Sequence, residues 1–145
     1  MTNLEDMNML PENQWIDVCH LDDITPNTGV GALIAGQSVA LFRVGNEKRI
    51  YALSNKDPFS QANVMARGII GDLQGERVIA SPIYKQHFSL ATGRCLEDKD
   101  QKLSVFPTKI ENGRVWVGTV PQKTYITNNG ISQEQIKLVL IGNGL

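Results

Sequence analysis

Lys109-Ile-Glu-Asn-Gly-Arg-Val-Trp-Val117 sets the texture of the whole chain. Asn112-Gly113 supplies the two positive-φ positions of a type I′ turn, so the segment reads as a tight β-hairpin. Ile34-Ala-Gly-Gln-Ser-Val39 reads as a second hairpin, with Gly36 at its tip. Working outward, short apolar stretches recur every ten or so positions. They are Trp15 to Cys19, Val30 to Ala35, Val39 to Val44, Ile50 to Ser54, Arg77 to Ala80, Val105 to Ile110 and Val115 to Val120. Gly45-Asn46, Gly71-Asp72 and Gly93 punctuate them. Short strands at this spacing predict an all-β fold, a sandwich or small barrel.

The chain has 145 residues, 41% hydrophobic and 20% charged, which suits one soluble domain with a real core. Fourteen basic residues against fifteen acidic ones leave a net charge of −1, so there is no basic excess for nucleic acid. No apolar run reaches the roughly 18 residues of a membrane span. Met1 to Pro11 is acidic and polar, without a signal-peptide pattern. Cys19 and Cys95 do not make a disulfide framework. The expectation is a reduced, cytoplasmic protein.

Residues 1–13 read as a flexible lead-in, 14–120 as the domain, and 121–145 as a linker and tail. Within the tail, Ser132-Gln-Glu-Gln135 has capping-box spacing. Ile136, Val139 and Leu140 would then share a short helical face, the rival being an added strand over 136–141. Gln61 to Ala66 has room for one helical turn before Gly68 and Gly71.

Conventional catalytic and metal motifs are missing. Cys19 and His20 are neighbours, which a strand points to opposite faces. His87 and Cys95 lack the close pairing of zinc ligands. No G-x-S-x-G elbow surrounds a serine, and Gly29-x-Gly31 lacks the rest of a dinucleotide fingerprint. No catalytic residue is assigned.

Ser81-Pro-Ile-Tyr-Lys-Gln-His-Phe-Ser-Leu-Ala-Thr-Gly93 carries more information. It resembles the second ligand loop of Rieske iron–sulfur domains, C-P-x-H-G-x-x-F-x-x-x-T-G. Pro82, Phe88, Thr92 and Gly93 fall on matching positions, while Ser81 replaces the cysteine and Tyr84 the histidine. Upstream, Asn55 and Asp57 replace the cysteine and histidine of the first C-x-H loop. A Rieske cluster takes two thiolates and two imidazoles. Hard oxygen donors do not substitute for thiolate. The resemblance therefore implies a Rieske-like fold, antiparallel strands in stacked sheets, that binds no metal at these positions.

A longer collinear pattern resembles the small subunit of NAD(P)H-dependent assimilatory nitrite reductase. It runs through Trp15-Ile-Asp-Val-Cys19, Gly29-Val-Gly-Ala-Leu33, Val39-Ala-Leu-Phe-Arg43, Asn55-Lys-Asp-Pro-Phe-Ser60 and Arg67-Gly-Ile-Ile-Gly-Asp72, then into Ser81 to Phe88. The resemblance implies an accessory role beside a large catalytic subunit that carries FAD, siroheme and an iron–sulfur cluster and reduces nitrite to ammonium. This chain would hold no cofactor and would not be catalytic alone.

Three expectations follow for the stripped loops. Phe59, Tyr84, Lys85 and His87 are candidates to dock on the large subunit, with Phe88 in the core. Asn55, Asp57, Ser81 and Tyr84 are expected to hydrogen-bond across the gap, with the Tyr84 hydroxyl facing the Asp57 carboxyl. Arg67 and Lys85 offer contacts to an acidic surface. The competing readings are a Rieske-type [2Fe–2S] electron carrier with unusual ligands, and a stand-alone β-domain binding module.

Overall fold

The computed structural model describes residues 14–122. The expected tail helix lies outside the described residues. Ten strands follow in order: β1 (Trp15–His20), β2 (Thr28–Ile34), β3 (Gln37–Arg43), β4 (Ile50–Ser54), β5 (Ile69–Leu73), β6 (Glu76–Ala80), β7 (His87–Ser89), β8 (Val105–Phe106), β9 (Thr108–Glu111) and β10 (Arg114–Gly118). They form three antiparallel sheets: β1-β10-β9, β2-β3-β4-β8 and β5-β6-β7.

The four-stranded sheet is the middle layer, and β3 shows why. Val39, Ala40, Leu41 and Phe42 are all fully buried, with no polar alternation. Successive side chains in a strand point to opposite faces, so both faces of this sheet must be covered. Val39 and Leu41 pack with Ile50, Ala52, Val115 and Val117, toward the β1-β10-β9 sheet. Ala40 and Phe42 pack with Leu53, Ile79, Phe88 and Leu90, toward the β5-β6-β7 sheet. Two cores therefore share one central sheet.

Both expected hairpins are present. Ala35-Gly36 has φ of 48° and 80°, and Asn112-Gly113 has 52° and 75°, as type I′ turns require. Three readings need correction. β5 and β7 fall where no strand was expected. Pro107 divides the stretch Val105 to Ile110 into β8 and β9, because proline cannot donate to a ladder. The helical turn is a 3₁₀ turn at Met65–Arg67, at the far end of its expected window.

Candidate functional site

Two loops make the site. The first leaves β4 at Asn55 and runs to the 3₁₀ turn; the second joins β6 to β7. Gly29 lets the first lie close on β2, because a Cβ there would come within 2.6 Å of the Ala66 carbonyl oxygen; at Gly31, which faces Asn55, a Cβ would make only ordinary contact at 3.5 Å from Nδ2.

Each side chain at the expected positions can be followed. Asn55 is buried: its Oδ1 accepts from the Ala66 amide at 2.8 Å. Its Nδ2 donates to Ser38 Oγ at 3.1 Å and to the Asn63 carbonyl at 3.3 Å. Asp57 is fully buried, and its Oδ1 accepts from the Phe59 amide at 2.8 Å, an Asx turn. Its Oδ2 accepts from Ser81 Oγ at 2.5 Å, the bond that ties the two loops together. Ser81 Oγ in turn accepts from the Ile83 amide at 3.3 Å.

The bridge across the gap is thus Asp57–Ser81, and the expected Asp57–Tyr84 contact is corrected. Tyr84 is 60% exposed. The Lys85 amide donates back to the Ser81 carbonyl at 3.1 Å with Lys85 at φ 65°, and this tight turn throws Ile83 and Tyr84 outward. Ile83, which the sequence did not single out, is 43% exposed.

The other expected docking residues divide. Lys85 is exposed. Phe59 is half-buried, packed on the core with its ring centroid 6.3 Å from that of Phe88. Phe88 is fully buried, as expected. His87 is half-buried and engaged: Nδ1 lies 2.7 Å from Glu97 Oε2, and its amide donates to Glu97 Oε1 at 2.8 Å. Burial works against the Glu97 carboxylate, but these His87 hydrogen bonds and the imidazole charge outweigh it, holding the carboxyl below its usual range. In the sequence Glu97-Asp98 reads as solvated loop charge, and for Glu97 that reading is corrected, since it lies ten residues from His87 in no motif yet is bonded to it.

The cysteines lie elsewhere. Burial pushes the thiols of Cys19 and Cys95 up, aided at Cys19 by Asp23, so neither tends toward a thiolate nucleophile or ligand. Among the described residues, no three of His, Cys, Asp and Glu converge as a metal-binding group. Neither thiol nor imidazole stands at the four positions, and three of the four side chains are spent on protein partners. These residues do not fit a Rieske [2Fe–2S] cluster.

Residues 14–118 match the Rieske-like [2Fe–2S] domain, and the chain belongs to that family. Within it, the chain belongs with the small subunits of NADH nitrite reductases. The nitrite reductase (NADH) small subunit of Salmonella typhimurium is 43% identical over 71% of this chain and 95% of its own. A solved nitrite reductase [NAD(P)H] small subunit from Erwinia carotovora is 44% identical, covers 79% of this chain and 88% of its own, and has a TM-score of 0.65. The nitrite reductase [NAD(P)H] large subunit of Klebsiella oxytoca is 44% identical over 75% of this chain, which spans only 11% of that protein. Among the described residues, no helix is long and apolar enough to cross a membrane.

Proposed function

We propose that this chain is a structural and docking subunit of a cytoplasmic NAD(P)H nitrite reductase that assimilates nitrite to ammonium. It carries no redox centre, and FAD, siroheme and the iron–sulfur cluster sit on the large catalytic subunit. The observation that carries the reading is the Asp57–Ser81 hydrogen bond, which closes the two loops on each other with oxygen where a cluster needs imidazole nitrogen at one position and sulfur at the other. The Klebsiella oxytoca large subunit adds support, because it contains a segment of this kind within its own chain.

Iron and acid-labile sulfide assay of anaerobically purified protein tests the redox half of the proposal. A colourless chain without stoichiometric iron is expected; about two irons per chain, the [2Fe–2S] stoichiometry, would overturn it. For the docking half, NADH-dependent nitrite reduction by the large subunit is measured with and without this chain. Higher activity or slower inactivation with the chain present is expected, and identical behaviour counts against the assignment.

A further inference from the structure

The two loops and the strands beside them expose large apolar side chains together with lysine and arginine. On β2, Gly29 and Gly31 face the first loop, and Leu33 is the next residue on that face, 77% exposed. From the second loop, Ile83 and Tyr84 project at 43% and 60% exposure. Ile69, 71% exposed, pairs with Ala80, the residue before Ser81. Most of the large exposed apolar side chains among the described residues thus belong to segments tied to the Asp57–Ser81 bridge, Trp15 and Ile16 being the exceptions. An apolar cluster with a polar surround marks a protein-contact surface more often than an accident of composition.

Charge around it is equally one-sided. Lys56, Arg67 and Lys85 are exposed, lie on the same segments and enter no ion pair among the described residues. Elsewhere cations and carboxylates are mixed: Arg43, Arg77, Lys109 and Arg114 are each paired with a carboxylate, and cations without an ion pair, such as Lys48 and Lys99, stand beside Glu47, Asp98 and Asp100 in the chain. The only acidic residue on the two loops, Asp57, is fully buried and faces inward. The tip is therefore positive on a chain whose net charge is −1.

We infer that Leu33, Ile83 and Tyr84 form the anchor of an interface, rimmed by Lys56, Arg67 and Lys85, which fits an apolar pocket with an acidic border on the large catalytic subunit. This deepens the docking role proposed above and rests on it. The apolar centre supplies residence time, and the rim charges steer encounter. The expected anchors shift accordingly: Tyr84 and Lys85 belong to the surface, Phe59 supports it from the core, and Leu33 and Ile83 join it.

The test is binding of the full chain to the purified large subunit by titration calorimetry at low and high salt, with folding of each variant checked by thermal melt. Tyr84→Ala and Ile83→Ala should each weaken binding about tenfold or more at either salt. Lys85→Glu and Lys56→Glu should weaken it chiefly at low salt, because rim charges are screened. Lys48→Glu, an exposed cation on the turn at the opposite end of β4, should leave it unchanged. If the wild-type chain binds and the four tip variants bind alike, the surface assignment fails while the subunit role stands. No binding by the wild-type chain at either salt would remove the docking role itself. A dimer of this chain in sedimentation, abolished by Tyr84→Ala, would make a second copy the occupant and overturn the inference.

Discussion

Asp57 and Ser81 lie 24 residues apart in sequence, and their side chains meet at 2.5 Å in a buried seam between two loops. With Asp57 fully buried and Ser81 1% exposed, little water can replace a lost partner. Ser81→Ala is expected to cost about 2–3 kcal/mol, the penalty of leaving a buried acceptor unsatisfied beside an Asp carboxyl. Adding Asp57→Ala should cost less than the sum of the two single changes, because both remove the same bond. Urea denaturation of the four proteins in the cycle measures this. A Ser81→Ala loss under about 0.5 kcal/mol would mean that the bridge does not hold the loops.

Phe88 and Phe59 touch each other but bear different loads. Phe88 is fully buried among Phe42, Ile79 and Leu90, so Phe88→Ala should cost about 3–5 kcal/mol. Phe59 covers this cluster from its edge and is only half-buried, so Phe59→Ala should cost about 1–2 kcal/mol. Chemical denaturation separates the two, and equal losses would place Phe59 fully within the core.

Much of this architecture can be read in the chain, and the failures have physical causes. β3 is legible because Val39 to Phe42 is an unbroken apolar run, which a strand covered on both faces requires. The I′ turns are legible because Asn112-Gly113 has few other uses. β5 is illegible because it is an edge strand: Ile69 is exposed, and Gly71-Asp72 reads as punctuation. At the site, the residue types at Asn55, Asp57, Ser81 and Tyr84 announce the loss of thiolate and imidazole. Which of them bond to each other is a matter of loop direction. The turn at Lys85 sends Tyr84 outward and leaves Ser81 as the partner of Asp57, and no propensity encodes that choice. Glu97 meets His87 because the isolated bridge Phe88↔Cys95 lays one segment beside the other.

Gly93 is a point where one methyl group decides whether the chain folds. Its φ is 79°, and a Cβ would stand 2.0 Å from the Leu103 carbonyl oxygen, a backbone atom that cannot turn aside. Gly93→Ala is expected to cost more than about 3 kcal/mol or to abolish folding, through strain and overlap together. Gly71→Ala adds the same methyl group in open space at ordinary φ, so it should change stability by less than about 0.5 kcal/mol. Thermal melts of the pair make the comparison, and similar losses at both positions would show that the backbone relaxes around Gly93.

Glu97 makes part of the stability of this end of the domain dependent on pH. Its carboxylate accepts from the His87 amide and ring and lies 3.7 Å from Cys95 Sγ, and its folded pKa is held below the ordinary value. A carboxyl depressed by folding contributes stability above its unfolded pKa of about 4.3 and loses it as pH falls through the lower folded value. Because the Glu97 side chain is 46% exposed and that of His87 35%, solvent screening limits the effect to less than about 1 kcal/mol. Glu97→Gln should therefore melt a few degrees below wild type at pH 7, and the gap should narrow as pH drops from about 5 toward 3. Melts at pH 7, 5 and 3 read the gap directly. A gap that stays constant across that range would show that Glu97 acts through its shape and neutral hydrogen bonds, with no contribution from its charge.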